Sequence, residues 1–169
     1  LAQANRLDEA LACYDRAIAL CPGLAVAHNN RGNLLQERMR LAEALASYDH
    51  AISAQPDFVV AHYNRGVLLE ALQRPADALA SYEQAIAIQP GLAEAHNNRG
   101  SILVEFGRPE DALASYDQAV ALKPAFAEAH NNRGLVLADL KRFDGALASY
   151  AQALALRPRF AEAHSNLCG

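Results

Sequence analysis

The chain has 169 residues, of which 52% are apolar and 7% aromatic, and it contains no tryptophan. Its 15 lysines and arginines stand against 19 aspartates and glutamates, so the formal net charge is −4 and a nucleic-acid or acidic-membrane partner, which would need a basic face, is not expected. No stretch approaches the roughly 18 uncharged apolar residues that a membrane-spanning helix requires.

A step of 34 residues organises the whole sequence. Glycine, proline, histidine, asparagine and tyrosine each recur at this step, and the series stay in phase with one another. The recurring residues are Gly32, Gly66, Gly100 and Gly134; Pro22, Pro56, Pro90, Pro124 and Pro158; His28, His62, His96, His130 and His164; Asn30, Asn64, Asn98, Asn132 and Asn166; and Tyr14, Tyr48, Tyr82, Tyr116 and Tyr150. A fixed period of this length is typical of stacked repeats in which each unit is one supersecondary element.

In chain order, residues 1–24 form an incomplete first repeat, with the tail of one helix at 1–5 and a second helix at 7–20. The complete repeats are predicted at 25–58, 59–92, 93–126 and 127–160. Their first helices, the A helices, are predicted at about 25–38, 59–72, 93–106 and 127–140. Their second helices, the B helices, are predicted at about 41–54, 75–88, 109–122 and 143–156. A partial repeat at 161–169 starts a last A helix near Ala161, so the chain is expected to be a single array over 1–169.

Proline and glycine mark the turns and the packing of these helices. Pro75 and Pro109 fall where a B helix should begin, a position in which the missing N–H costs nothing. Pro56 and its equivalents should prevent a B helix from running into the next A helix. Gly66 and its equivalents lie inside A helices, where glycine costs roughly 1 kcal/mol relative to alanine. We therefore expect a close approach of the paired B helix at these glycines.

The repeat resembles the tetratricopeptide repeat, a helix-turn-helix unit with the pattern W-x2-L-G-x2-Y, then A-x3-F, then P. In one repeat those places are filled by His28, Arg31, Gly32, Leu35, Ala44, Tyr48 and Pro56. Histidine for tryptophan, arginine for the first leucine and leucine for tyrosine recur in the next three repeats. The resemblance implies an all-α fold, a right-handed superhelical solenoid of stacked antiparallel helix pairs.

The resemblance also implies that the A helices line a concave face on which an extended peptide or partner protein binds. The inward set would include Asn29, Asn30, Asn33, Tyr63, Asn64, Asn97, Asn98, Ser101, Asn131 and Asn132. The phased asparagines are similar to the ladder in bacterial O-linked N-acetylglucosamine transferase-like (SPINDLY-type) proteins, in which side-chain amides clamp the backbone of the substrate peptide. An amide has two donors and an acceptor, so it can bond a backbone without reading side chains. The alternative is that these asparagines bond neighbouring helices or water.

Acidic residues accompany the ladder. Glu94, Glu128 and Glu162 recur one turn before it, and Glu37, Glu70, Glu105 and Asp139 lie toward the far ends of the A helices. Repeated acidic charge favours a partner with basic or polar side chains, and a solvated face is the alternative. Because the only lysines are Lys123 and Lys141, the lysine-rich clamp that some members of the family use for chaperone C-termini is missing.

The phased arginines replace an expected leucine, which places them at the edge of the helix packing. An unpaired buried guanidinium is costly. Acids on the B helices have the same period, so we expect each arginine to pair with one of them. The predicted pairs are Arg31 with Asp15, Arg65 with Asp49, Arg99 with Glu83 and Arg133 with Asp117.

Metal binding and catalysis are not expected. A zinc–nitrogen bond is about 2.0–2.1 Å long, whereas stacked helices are about 8–10 Å apart, so histidines of successive repeats cannot share an ion. We expect them to be packed and hydrogen-bonded. The repeated serines of the B helices lack a local histidine and aspartate arrangement, and no phosphate-binding loop is present. The sequence therefore predicts no catalytic residue, metal or cofactor, and no enzyme within this chain.

Two classes of function follow. The first is a binding module that serves as a scaffold for complex assembly. The second is the substrate-recognition arm of a bacterial glycosyltransferase resembling the O-linked N-acetylglucosamine transferases, with a catalytic part beyond Gly169.

The ends of the sequence and its cysteines give two further expectations. Apolar residues of the incomplete repeats should be partly uncovered, which would let molecules associate head to tail, unless further repeats lie outside the sequence. They are Leu11, Tyr14 and Ile18 at one end and Leu154, Phe160 and Leu167 at the other. Cys13, Cys21 and Cys168 have neither metal-ligand spacing nor an even number, so we expect free thiols and a reducing, cytoplasmic compartment. No secretory leader is visible, although the sequence begins at Leu1 inside a repeat.

Overall fold

A computed structural model describes residues 2–168, with side chains from residue 7 to residue 167. Every element in this part of the chain is an α-helix, which confirms the expected all-α fold. The helices are α1 Ala2–Leu20, α2 Ala25–Glu37, α3 Leu41–Ala54, α4 Val59–Ala71, α5 Pro75–Ile88, α6 Ala93–Glu105, α7 Pro109–Leu122, α8 Ala127–Asp139, α9 Phe143–Leu156 and α10 Ala161–Cys168. No described helix has the length and hydropathy of a membrane span. Leu1, Gly169 and the side chain of Cys168 lie outside the described residues, while Cys13 and Cys21 are free and exposed.

The B helices α3, α5, α7 and α9 have the predicted boundaries, and the A helices α2, α4, α6 and α8 end one residue earlier than predicted. The early end has a local cause at the turn between A and B helices. After α2, the N–H of Met39 donates to the carbonyl of Gln36 and the N–H of Arg40 donates to the carbonyl of Leu35, both at 2.9 Å. These are the two bonds of a Schellman turn, with Met39 in the left-handed conformation at φ 59°.

The expected break near residue 6 is wrong, because α1 runs without interruption from Ala2 to Leu20. In the complete repeats the corresponding turn lies between two long helices that pack antiparallel, such as α2 and α3. Alanine and glutamine are good helix formers, and no glycine or proline interrupts the segment.

The chain divides into two compact units, Leu1–Gln89 and Pro90–Gly169. The division falls in a turn between a B helix and the next A helix. In the first unit α2 packs on α3 and α4 on α5, and α3 also contacts α4. In the second unit α6 packs on α7 and α8 on α9, α7 contacts α8, and α10 packs on α9. Each unit is therefore built from stacked helix pairs.

Each A-helix glycine lies against a tyrosine ring from the B helix of its own repeat. A Cβ placed on Gly66 would lie 2.6 Å from Cε1 of Tyr82, and one on Gly134 would lie 2.5 Å from Cε1 of Tyr150. The predicted close approach of the B helix is confirmed, with tyrosine as the nearest neighbour. In the first unit Tyr48 also shares a buried cluster with Leu68 of the next repeat, so the same ring fills the space within and between repeats.

The phased arginines join neighbouring repeats. Nε of Arg31 lies 2.7 Å from Oδ1 of Asp15 on the preceding B helix, while its Nη1 donates to Oγ of Ser47 at 2.8 Å. Arg133 makes the same two contacts with Asp117 at 2.6 Å and Ser149 at 2.7 Å.

Arg65 lies 2.8 Å from Asp49, although its Nε–H is not aligned for a hydrogen bond. These three predicted pairs are confirmed. The pair of Arg99 and Glu83 would join the two units and stays a prediction.

The phased histidines hold the turns that precede the A helices. In each of five repeats Nε2 bonds the carbonyl of the proline six residues earlier, at 2.9 to 3.0 Å. Because a carbonyl only accepts, Nε2 carries the proton in every case. The expectation of packed, hydrogen-bonded histidines is confirmed.

At the second end of the array, Phe160 was expected to be partly uncovered and is instead buried. Its ring packs with Ala127, Ala153 and Ala163, and the guanidinium of Arg157 lies 4.8 Å from its centroid. The turn before α10 thus folds the ring inward.

Candidate functional site

A groove of about 770 Å³ lies in the first unit between the A helices α2 and α4, above the ring of Tyr48 from α3. We call it groove 1. Its lining residues are Asn33, Gln36, Glu37, Met39, Leu41, Tyr48, Tyr63, Asn64, Val67, Leu68 and Ala71. The groove combines amides, one carboxylate and an apolar wall in the same concavity.

A second groove, groove 2, occupies the equivalent place in the second unit, between α6 and α8. Its volume is about 160 Å³. It is lined by Ser101, Val104, Tyr116, Asn132, Leu135, Val136 and Asp139. Each of these residues lies 68 positions, or two repeats, after a residue that lines groove 1. The grooves are therefore one feature of the repeat, realised twice with different side chains.

The floor of groove 1 is a hydrogen-bonded set around Asn33. The hydroxyl of Tyr48 lies 2.7 Å from Oδ1 of Asn33 and 3.0 Å from Oε1 of Gln36. Nδ2 of Asn64 reaches the same Asn33 oxygen at 3.2 Å. Burial raises the pKa of Tyr48 to about 12, so its hydroxyl remains a donor at neutral pH. In groove 2 the hydroxyls of Ser101 and Tyr116 lie 3.1 Å apart in the corresponding place.

The ladder asparagines are oriented by a relay of amides between successive A helices. Nδ2 of Asn64 donates to Oδ1 of the buried Asn29 at 3.0 Å, and Nδ2 of Asn29 donates to Oδ1 of Asn30 at 3.3 Å. The same relay runs from Asn132 through Asn97 to Asn98, with both bonds at 3.2 Å.

At the end of the array Nδ2 of Asn166 donates to Oδ1 of Asn131 at 3.0 Å. The ladder amides thus do bond the preceding A helix. Within the described residues this leaves Oδ1 of Asn64 and of Asn132 without a donor.

The charge of the grooves is negative. Glu37 lines groove 1 and Asp139 lines groove 2, and neither lining set contains a lysine or arginine. Burial, together with the charge of Asp139, raises the pKa of Tyr150 on the neighbouring B helix.

Two of the acids at the other ends of the A helices, Glu94 and Glu128, pair with cations of this chain. Glu94 lies 2.6 Å from Nζ of Lys123, and Glu128 lies 2.5 Å from Nη2 of Arg157. The hydrogen bond from Lys123 lowers the pKa of Glu94. Burial opposes ionisation of Glu128, but the bonds from Arg157 and the backbone outweigh it and lower its pKa. These carboxylates belong to the turns and not to the grooves.

Three tetratricopeptide-repeat models match the sequence, at residues 1–38, 57–125 and 97–167. The chain belongs to the tetratricopeptide-repeat family. The matches together span most of the sequence, and the middle one crosses the division between the two units. No curated protein matches the sequence.

Solved tetratricopeptide-repeat structures share the fold over nearly the whole chain. YrrB, a protein with an unusual peptide-binding site, is 27% identical, with a TM-score of 0.81 over 98% of this chain and 85% of its own. A thermophilic tetratricopeptide-repeat protein of Thermus thermophilus, TTC0263, is 23% identical, with a TM-score of 0.70 over 99% of this chain and 92% of its own. MamA is 19% identical, with a TM-score of 0.83 over 95% and 94%. A tetratricopeptide fold implies a scaffold for protein interactions, and such repeat arrays are typically non-catalytic.

Within this tetratricopeptide array, the residues predicted to face a peptide fall into two groups. Those that line a groove are Asn33, Tyr63, Asn64, Ser101 and Asn132. The others form the relay behind them: Asn29, Asn97 and Asn131 are buried, and Asn30 and Asn98 accept bonds from their buried neighbours. Asn29 and Asn97 orient the groove residues Asn64 and Asn132, whereas Asn131 bonds Asn166 outside both grooves.

Several lining residues were missed by the sequence reasoning. Gln36 and Val67 lie three positions after Asn33 and Asn64, which is one turn further along the same helix face. Leu135 has the same relation to Asn132. Glu37, expected near the ladder only as an acidic charge, lies four positions after Asn33. Extending each predicted position by one helical turn would have found them, since the groove runs along the helices and not only across them. Among the described residues no cluster of histidine, cysteine and acidic groups is suited to a metal ion.

Proposed function

We propose that this tetratricopeptide array is a binding module that holds an extended peptide segment of a partner protein on its A-helix face. Asn64 and Asn132 would clamp the peptide backbone, with Asn33, Tyr63 and Ser101 beside them. The observation that carries the proposal is the relay, because it fixes the amides of Asn64 and Asn132 in open grooves while their Oδ1 atoms accept no bond from the described residues.

A fixed amide is suited to this role. Oδ1 of Asn64 and Oδ1 of Asn132 can each accept a peptide N–H, and an acceptor that is already oriented loses little rotamer freedom on binding. The buried Asn29 and Asn97 supply the orientation from behind. That YrrB, a similar protein, has a peptide-binding site adds support for a peptide ligand.

The test begins with short random peptides displayed on phage and selected on this chain, followed by fluorescence anisotropy with a labelled synthetic copy of a selected peptide. We expect the double variant Asn64→Ala, Asn132→Ala to lose about 1–3 kcal/mol of binding, or roughly five- to 150-fold in Kd. The matched control is Asn166→Ala, which removes the same relay bond outside both grooves. Circular dichroism checks that each variant is folded.

Selection of no peptide, or an equal loss of affinity in the control and the double variant, would contradict this function. The control separates a lost peptide contact from a lost relay bond, because only the double variant changes a groove.

The glycosyltransferase arm remains a second hypothesis that rests on the resemblance of the asparagine ladder alone. Sequencing the gene on both sides of this segment tests it: a sugar-nucleotide-binding α/β region after residue 169 would support it.

A further inference from the structure

We propose that each groove takes a lysine or arginine side chain of the bound peptide, so that the partner segment is basic. This inference rests on the proposed function and adds the part that the ladder does not provide. Backbone amide clamps are indifferent to sequence, whereas the walls and charge of the grooves select the side chains between the clamped positions.

Glu37 and Asp139 differ from the paired acids of the helix contacts and turns. Asp15, Asp49 and Asp117 pair with arginines between helices, and Glu94 and Glu128 pair with cations at the turns. Glu37 and Asp139, which line the grooves, have no ion-pair partner among the described residues. Their negative charge is thus available to a cation of the bound peptide.

No lysine or arginine lines either groove. Arg40, Arg74 and Arg108 bond acids three residues later in the first turns of B helices. Arg31, Arg65 and Arg133 are held between helices by an acid and a serine. Because these guanidinium groups are engaged outside the grooves, they do not neutralise Glu37 or Asp139. An acidic side chain in either groove would meet an uncompensated carboxylate.

An apolar wall accompanies the acid in each groove. Val67 and Leu68 form it in groove 1, and Val104, Leu135 and Val136 form it in groove 2. Lysine and arginine combine a long apolar stem with a charged end, so the stem can lie on such a wall while the end reaches the carboxylate. An aliphatic side chain would use the wall alone, and a short polar one would use neither feature.

Groove 1 and groove 2 place the acid differently. Glu37 is on the first A helix of its pair, whereas Asp139 is on the second. The carboxylate thus lies on opposite walls of the two grooves. A variant of Glu37 tests groove 1 alone, and a variant of Asp139 tests groove 2 alone.

The experiment uses a peptide selected on the full chain. We expect lysine or arginine to be enriched among the selected sequences. In the synthetic copy, each basic residue is replaced in turn by norleucine, which keeps the stem and removes the charge. On the protein side the variants are Glu37→Gln and Asp139→Asn, with Glu110→Gln as control, since Glu110 lines neither groove.

Each groove variant should weaken binding about two- to fivefold at low ionic strength, with a smaller effect at high salt. A double-mutant cycle assigns the pairs, because the norleucine substitution should have no further effect in the protein variant that lacks its acid partner. The control should bind like the parent.

Two outcomes separate this inference from the proposed function. If selected peptides lack lysine and arginine, or if Glu37→Gln and Asp139→Asn bind like the parent while the asparagine double variant is weakened, the basic partner is wrong and the peptide-binding function stands. If the asparagine double variant also binds like the parent, both are wrong.

Discussion

The ring of Tyr116 fills the space that a methyl group on Gly100 would need, with Cε1 2.8 Å from the position of such a Cβ. Tyr116 is itself buried and its hydroxyl meets Ser101 in groove 2, so the ring cannot move away without disturbing the groove floor. The glycine thus has a steric reason that outweighs its poor helix propensity.

Gly100→Ala should therefore destabilise the protein, by about 1–3 kcal/mol, because overpacking outweighs the gain in helix propensity. Urea unfolding monitored by circular dichroism measures it. Gly91→Ala is the control, since nothing lies within 4 Å of a Cβ placed there. Equal stability of Gly100→Ala and the parent would show that the ring adapts at no cost.

The turn between A and B helices contains one residue in the left-handed backbone conformation, and two opposite substitutions test its cost. Lys141 occupies this position at φ 61°, and Gly107 occupies the equivalent position at φ 67°. Glycine adopts this conformation without the steric cost of a Cβ, so Lys141→Gly should stabilise by up to about 1 kcal/mol and Gly107→Lys should destabilise by a similar amount. Thermal or urea unfolding of both variants measures the difference. A change of the same sign in both would refute the explanation.

The arginine–acid pairs between repeats should contribute more to the free energy of unfolding than the exposed ion pairs of the turns. Arg133 bonds both Asp117 and Ser149 and its side chain is 29% exposed, whereas Arg108 and Asp111 are 52% and 51% exposed. We expect a coupling of about 1 kcal/mol between Arg133→Ala and Asp117→Ala, against about 0.3 kcal/mol between Arg108→Ala and Asp111→Ala. Unfolding free energies of the two double-mutant cycles decide, and equal couplings would contradict the prediction.

The pair of Glu94 and Lys123 predicts a dependence of stability on pH. The pKa of Glu94 is lower in the folded protein than its ordinary value of 4.5. Ionised Glu94 therefore stabilises the fold above pH 4.5, and this contribution is lost as the pH falls through the pKa of the folded state. Glu94→Gln should cost under about 1 kcal/mol at pH 7 and nothing in acid. Unfolding at both pH values measures it, and an equal cost at both would contradict the prediction.

Much of this fold followed from the 34-residue period, since helix boundaries, the tight glycines and the arginine pairs all repeat with it. The period does not predict which of two adjacent asparagines is buried. Asn29 and Asn30 are neighbours in sequence and about 100° apart around the helix, and only packing decides that the first is buried and the second half-buried. The full lining of the grooves was not predicted for a related reason: it combines residues of two A helices with a tyrosine ring of a B helix.

The arginine–acid pair between repeats also affects which repeats of such a chain can follow one another. Every complete repeat from 25 to 126 carries an arginine for the repeat before it and an acid for the repeat after it. At the last junction both partners differ together: Ala151 stands at the acid position and Leu167 at the arginine position. A repeat that carries both residues therefore brings its half of each arginine–acid pair with it when it is duplicated or transplanted. The segment from 161 to 167 lacks the arginine of this pair, and an arginine at position 167 would meet the methyl group of Ala151 in place of a carboxylate.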